Sequence, residues 1–236
     1  AQLLSHNSNT NNIFTLTEQW QRFDLNASGG TGFSTFYAVD FRGSGTLSEV
    51  ILWGVNATND QSYATSYIPS LSGSTTTRLA DVCNNSGSAQ DFNSEEGVLY
   101  IEAKVKSDSN SSINSIGISN GTDSNRLSII MYGNSDLIRA NMNVSSVSQF
   151  DFLQYGNNPE QYYKIAVSYK QNDCKIFING VKVGVDISAT MPSLGTFDRL
   201  NLDIGNNLYD FYGKVKDLQV FTEAKSDEQL AALTTI

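Results

Sequence analysis

The sequence predicts an all-β protein: an antiparallel two-sheet sandwich with an N-terminal β extension and one short C-terminal helix. Three observations carry the prediction. Segment 162–186, YYKIAVSYKQNDCKIFINGVKVGVD, alternates apolar and polar residues through two strands and into a third. Asn179-Gly180 separates the second strand from the third, and Asn-Gly suits a type I′ hairpin turn because both central residues need φ > 0. Short apolar runs divided by Gly, Asn, Ser and Asp recur along the chain, as in a sandwich.

Within 162–186, Ile165, Val167 and Tyr169 face one way and Lys164, Ala166, Ser168 and Lys170 the other, since side chains alternate along a strand. Gln171-Asn172-Asp173 is turn chemistry: Asn and Asp tolerate left-handed φ and bond their own backbone. Cys174, Ile176 and Ile178 then share a face opposite Lys175 and Phe177, and Val181, Val183 and Val185 alternate after the Asn-Gly turn.

Upstream, residues 1–12 are rich in Asn and Ser and read as a loose arm. Strand-type residues follow at 13–25, 33–41 and 47–55, divided by Ser28-Gly29-Gly30-Thr31-Gly32 and Arg42-Gly43-Ser44-Gly45. Trp20 and Trp53 fall in these strands and read as core residues. Segment 56–80 is extended and irregular, with Pro69 opposing a helix. Residues 84–91, NNSGSAQD, have linker composition, which divides the chain into an N-terminal β segment at 1–83, a linker at 84–91 and a second domain at 92–236. Strands in that domain are expected at 98–105, 115–119, 126–132, 137–144, 149–153, 163–169, 174–178, 181–185, 198–204 and 212–221. At the C-terminus Ser226 caps a helix. Asp227 and Glu228 complement its dipole, Gln229 completes a capping box, and Leu230 and Leu233 face the sheet.

Composition narrows the function. A length of 236 residues allows one large β-domain or two smaller units, and 39% hydrophobic residues are enough for a buried core. A formal net charge of −9 argues against nucleic acid and anionic membrane surfaces as partners. No apolar run approaches the roughly 20 residues of a membrane-spanning helix, so membrane insertion is not expected. Only 17% of residues are charged while Ser, Thr, Asn and Gly abound, as suits a secreted, virion or cell-surface β protein. Cys83 and Cys174 leave two readings open, a disulfide or two separate buried thiols, and the inward position of Cys174 favours the inert thiol.

Residues 92–236 resemble the laminin-G-like, concanavalin-A-like lectin/glucanase superfamily. The resemblance rests on the opening strand EGVLYIEAKV at 96–105, the 163–167 strand, Ile176-Phe177-Ile178-Asn179-Gly180, the closing strand GKVKDLQVF at 213–221, and the Ser-Asp-Glu helix after it. It implies a two-sheet antiparallel jelly-roll sandwich. The first segment carries a second resemblance, in Trp20-Gln21-Arg22-Phe23, Ile51-Leu52-Trp53-Gly54, Ala64-Thr65-Ser66-Tyr67-Ile68-Pro69-Ser70 and Thr77-Arg78-Leu79-Ala80-Asp81. That ordered series is similar to the end of a carbohydrate-binding-module-like jelly roll common in phage tail, fibre and head-decoration proteins. Three clear strands precede Tyr67, where a whole jelly roll has about eight. Either the sequence holds only the C-terminal part of that jelly roll, or these strands cover their open edges by packing on the second domain or on another subunit.

Together the resemblances imply a non-catalytic virion structural or adhesion protein at the virion surface or in the extracellular space. Its implied partners are cell-surface or extracellular polysaccharide, other virion proteins and further copies of itself in a homo-oligomer. Two alternatives stand beside this reading: a carbohydrate-binding module of a secreted bacterial polysaccharide-degrading enzyme, and a purely structural assembly module.

The superfamily's catalytic patterns are missing from the sequence. Retaining glucanases need two carboxylates about 5 Å apart, which these folds supply as E-x-D-x-x-E on one strand. Glu102 stands beside Ala103 and Lys104, and Asp203 in Leu202-Asp203-Ile204-Gly205 is likewise alone. His6 is the one histidine, so lyase and Ser-His-Asp chemistry are unsupported. Gly43-Ser44-Gly45 precedes no helix and makes no phosphate loop. An enzyme is therefore not expected, and no cofactor is required.

Sugar sites pair a flat aromatic ring with amides and carboxylates. The candidates are Tyr132, Tyr155 and Tyr209 with Asn157, Asn206 and Asn207, all at or beside loops. Asp203, Asn206 and Asp210, with Asn207 nearby, also supply the hard oxygens of a Ca2+ site, and Asn120, Asp123 and Asn125 form a second such cluster. Ordinary Asx turns are the favoured reading of both clusters.

Overall fold

Strand pairing converts the sequence alternation into defined sheets. The computed structural model describes residues 2–5, 10–25, 37–41, 49–57, 67–69, 76, 86–105, 113–159 and 161–236. The chain divides into two units, Ala1–Ala80 and Asp81–Ile236.

In the first unit, β1 (Gln2–Ser5), β2 (Thr10–Ile13) and β3 (Tyr37–Asp40) form an antiparallel sheet in the order β2-β1-β3. Three expectations change here. The supposed loose arm is paired, with Leu3 opposite Asn12 on one side and Val39 on the other. Backbone pairing overrides the low strand preference of Asn and Ser. Conversely, 14–25 and 49–55 form no strand despite their strand-type residues. Trp20 and Trp53 are 76% and 77% exposed, so neither is a core residue; Trp53 instead lies 5.3 Å from the Tyr67 ring. His6, Gly43-Ser44-Gly45, Ala64-Thr65-Ser66, Thr77–Asp81 and Cys83 lie outside the described residues.

The second unit holds two five-stranded antiparallel sheets. Its strands are β4 (Glu96–Val105), β5 (Ile113–Ser119), β6 (Arg126–Tyr132), β7 (Ile138–Val144), β8 (Val147–Gln154), β9 (Tyr163–Lys170), β10 (Cys174–Ile178), β11 (Val181–Asp186), β12 (Arg199–Asn201) and β13 (Gly213–Phe221). One sheet runs β11-β10-β9-β4-β13 and the other β12-β5-β6-β7-β8. This is the expected jelly-roll sandwich, closed by helix α1 (Asp227–Thr234). The expected 198–204 strand pairs only over Arg199–Asn201, because Asp203 bonds the amide of Gly205 and the chain turns there at φ 104°. Ser86, in the span of linker composition, exchanges backbone hydrogen bonds with Leu200 at 3.2 and 2.8 Å.

Alternation decides what lies between the sheets. Leu99, Ile101, Ile116, Ile118, Leu127, Ile129, Ile165, Val167 and Ile176 fill one core. Cys174 joins them as a free thiol, and burial pushes its pKa up to about 11, leaving it inert at neutral pH. Tyr169 is fully buried and donates its hydroxyl hydrogen to the Asn93 carbonyl at 2.7 Å. On the other side of the first sheet, Val98, Tyr100, Ala166 and Phe177 make a second cluster, covered by Leu230 of α1. The Asn179-Gly180 turn has φ of 50° and 82°, as a type I′ turn requires. The Ser226/Gln229 capping box is complete in both directions.

Candidate functional site

The second sheet has a core face and an outer face, and the outer one is polar. Ile116 and Ile118 of β5, Leu127, Ile129 and Met131 of β6, and Ala140 and Met142 of β7 point into the core. Their alternates point outward: Ser115, Gly117 and Ser119; Arg126, Ser128, Ile130 and Tyr132; Arg139, Asn141 and Asn143. The register sets these side by side. Asn201 lies opposite Gly117, Gly117 opposite Ser128, Ser128 opposite Asn141 and Asn141 opposite Asp151. A row of small and amide residues therefore crosses all five strands. Gly117 and Ser128 keep its floor low; a Cβ at Gly117 would lie 2.7 Å from the Leu127 carbonyl oxygen and 3.2 Å from Ser128 Oγ.

Two arginines flank this row in different electrostatic states. Arg139 makes a bidentate pair with Asp151, donating from Nε at 2.6 Å and Nη2 at 2.9 Å. Those bonds hold the Arg139 pKa above its usual value. Among the described residues Arg126 has no bidentate partner. Its side chain is 10% exposed and makes long contacts there: to the Asp123 carbonyl at 3.3 Å, Ser128 Oγ at 3.3 Å and Asn141 Oδ1 at 3.4 Å. Its ion-pair partner, the Asp123 carboxylate, stands 3.5 Å away and is 57% exposed. Burial pushes the Arg126 pKa below its usual value. Because Arg does not deprotonate in proteins, this is a buried cation with incomplete charge compensation.

The sequence-predicted residues are distributed around this face. Tyr132 closes β6 on the outer side and contributes to the raised pKa of Arg139. Tyr155 follows β8 and is 59% exposed. Asn157 is committed to structure: its Nδ2 donates to the carbonyls of Asp136 and Gln154 at 2.9 and 2.7 Å. Tyr209 belongs to a loop clipped beside β5, where its carbonyl accepts from the Ser115 amide at 3.1 Å. Asn207 and Tyr209 both have φ of 61°, which aims this loop through two left-handed residues. Tyr155 and Tyr209 thus stand at opposite sides of the sheet, four strand spacings apart, or on the order of 19 Å.

The calcium candidates have protein partners of their own. Asp203 is buried, and its carboxylate accepts from the Gly205 amide and from Asn201 Nδ2 at 3.5 Å. Asn206 Nδ2 donates to Asp123 Oδ2 at 2.8 Å, which joins the two Asx clusters, and Asp210 is exposed. Among the described residues no three carboxylate, histidine or cysteine side chains are grouped to hold a metal ion.

Sequence reasoning missed Arg126, Arg139, Asn141 and Asp151. The signal was present as Arg126-x-Ser128 and Arg139-x-Asn141-x-Asn143, polar alternates of strands whose other face is apolar. Only the strand order shows that they share one surface.

No curated protein sequence matches this chain. Solved structures do match in fold. The CBM40 of the Ruminococcus gnavus IT-sialidase aligns with a TM-score of 0.54 at 18% identity, covering 66% of this chain and 96% of that one. The same domain bound to α2,3-sialyllactose gives 0.53 at 17%, with the same coverage. Domain 4 of AbnA, a GH43 extracellular arabinanase from Geobacillus stearothermophilus in complex with arabinotriose, gives 0.50 at 16%, covering 63% of this chain and 70% of that one. The Laminin G model described as concanavalin A-like lectin/glucanases superfamily matches residues 90–231 of the 236. Family match, strand order and two-sheet core agree, and this chain belongs to the concanavalin A-like lectin/glucanases superfamily.

Proposed function

We propose that the second unit is a non-catalytic glycan-binding domain, that its site is the outer face of the second sheet, and that it takes an acidic sugar. The observation that carries this reading is Arg126, a nearly buried cation whose nearest carboxylate among the described residues, Asp123 at 3.5 Å, is more than half exposed. A sugar carboxylate would supply the missing countercharge in a charge-assisted, bidentate hydrogen bond. Ser128 and Asn141 are buried and hold Arg126, while the half-buried Asn143 would bond hydroxyls and the half-buried Tyr132 would lie against the C–H face of a ring. Both oxygens of Asp151 are occupied by Arg139, so this carboxylate orients the arginine and is not free to attack. The sialyllactose-bound CBM40 supports the reading through shared fold.

Titration calorimetry with 3′-sialyllactose, galacturonate oligomers and lactose tests it. An acidic sugar should bind and lactose should not. Arg126→Gln should weaken binding about tenfold to a hundredfold, the worth of one hydrogen bond to a charged group, about 1.5–3 kcal/mol. Equal affinity for neutral and acidic sugars, or an unaffected variant, overturns it.

Two settings fit such a domain. The ordered series at Trp20, Ile51-Leu52-Trp53-Gly54 and Tyr67-Ile68-Pro69 supports adhesion from a virion fibre or capsid decoration, with homo-oligomerisation and other virion proteins as partners. The sialidase and arabinanase modules of like fold support a secreted polysaccharide-degrading enzyme. Both place the domain outside the cell. A fibre or capsid-attachment segment adjoining this sequence in its gene decides for the first, and a catalytic domain for the second.

A further inference from the structure

On the opposite side of the sandwich, the outer face of the first sheet gathers four lysines beside two carboxylates, Glu102 and Asp217, in a chain whose net charge is −9. Lys104 of β4 lies directly opposite Lys214 of β13 in the strand register. Like charges directly opposed on neighbouring strands destabilise a sheet. A register shift between Val215 and Asp217 brings Lys216 to the same place. Its Nζ sits 3.9 Å from the centre of the Tyr162 ring, and Lys104 Nζ reaches that ring at 5.4 Å. Lys164, opposite Glu102 on β9, extends the patch to a third strand. Lys216 pairs with Glu102 at 2.9 Å and Lys164 donates to the Thr235 carbonyl at 2.8 Å. Among the described residues neither Lys104 nor Lys214 forms an ion pair.

Edge protection accounts for part of this. β13 ends its sheet, and lysines with a bulge are a common guard against strand addition. It does not account for Lys104 and Lys164, which sit on interior strands. We propose that Lys104, Lys164, Lys214 and Lys216 around Tyr162 form a second ligand site, for an anionic polysaccharide bearing sulfate or carboxylate groups. Lysine ammoniums are point charges on flexible stems and suit separate anionic groups along a polymer. Nucleic acid fits less well: the patch has no arginine, and Lys216 already covers the one ring on which a base would stack. An anionic bilayer fits less well too: interfacial binding needs a broad exposed apolar face, and among the described residues beside these lysines Val215 and Tyr212 are the large apolar side chains exposed.

The test is retention of the full chain on immobilised dextran sulfate and on polygalacturonate, which separate sulfate from carboxylate recognition. Salt elution is compared for the wild type, Lys104→Gln/Lys214→Gln, and Arg126→Gln. The double variant should elute at clearly lower salt and lose at least tenfold in affinity, while its thermal midpoint is equal or higher because the opposed charges are gone. On dextran sulfate, which carries no sugar carboxylate, Arg126→Gln should elute with the wild type, so this site stands or falls apart from the acidic-sugar face. Unchanged elution of the double variant on both matrices, or elution of Arg126→Gln from dextran sulfate shifted as far as that of the double variant, overturns the proposal. Equally strong retention on single-stranded DNA or phosphatidylserine vesicles that the same lysine pair abolishes overturns polysaccharide as the partner.

Discussion

Replacing Arg126 with glutamine should separate binding from stability. Burying a charge costs several kcal/mol, and close carboxylate pairing is what usually offsets it. Arg126 has hydrogen bonds at 3.3 and 3.4 Å to the neutral Ser128 Oγ and Asn141 Oδ1, at the long end of the normal range. The Asp123 carboxylate at 3.5 Å is more than half exposed, and solvent-screened pairs of that kind contribute about 0–1 kcal/mol. A glutamine amide can still donate to Asn141 or Ser128, so neither acceptor need lose every partner. The folded state should therefore hold its stability or gain up to about 2 kcal/mol. For a domain of this size that is a rise of roughly 2–8 °C in thermal midpoint. Urea unfolding with an unchanged slope gives the free-energy difference, and calorimetry gives the midpoint. A loss above about 1 kcal/mol would mean that Arg126 is a compensated structural ion, and the argument for an anionic ligand would fail with it.

Three further outcomes are expected. Tyr169→Phe should destabilise by about 1–2 kcal/mol in urea, since the half-buried Asn93 carbonyl loses the hydroxyl that donates to it. Burial raises the Tyr169 pKa, so the wild type should also lose stability as pH climbs above about 10, where unfolded tyrosine ionises, and the variant should lose less. Asp227 has its pKa lowered by Lys182 at 2.6 Å and Lys175 at 3.1 Å. Its contribution is present above the ordinary carboxylate pKa and is lost as pH falls through the lowered folded value. Asp227→Asn should therefore narrow the gap between urea midpoints at pH 7 and pH 3, and an unchanged gap would reject the triad. Tyr155→Ala and Tyr209→Ala, at exposed positions, should each shift stability by less than about 0.5 kcal/mol and weaken oligosaccharide binding several-fold. Unaltered affinity in both variants would exclude these rings as contacts.

Local features of the sandwich were legible because local chemistry determines them. Asn179-Gly180 needs only its own backbone to become a type I′ turn, and Ser226 with Gln229 needs only the first turn of its helix. Strands β6 and β10 fall at the expected bounds because turn residues bracket them, Ser124-Asn125 and Gly133-Asn134 around β6, Asn172-Asp173 and Asn179-Gly180 around β10. The first unit was less legible. Trp20 and Trp53 carry strand preference without a pairing partner, whereas Asn11 and Asn12 pair despite a poor preference for it. The candidate site was half legible. Loop tyrosines announce themselves beside Gly and Asn, but a strand arginine such as Arg126 looks like any outward polar residue. Its significance depends on Asn141, Asp151 and Asn201 arriving beside it, and these distances in sequence are bridged by sheet order alone.

The pairing of β4 with β13 has a consequence for biosynthesis. Val98 of the first sandwich strand meets Phe221 of the last. At ribosomal rates of about 5–20 residues per second, roughly 6–25 s pass between making the two. Throughout that interval one side of β4 lacks its hydrogen-bonding neighbour, and the apolar layer beneath it is incomplete. The second sheet can assemble meanwhile from hairpin neighbours, β5 through β8, so the nascent chain should carry a folded half waiting for its last strand. A ribosome stalled before residue 213 would expose a chaperone substrate, and one stalled far enough beyond Phe221 to free that strand from the exit tunnel would not.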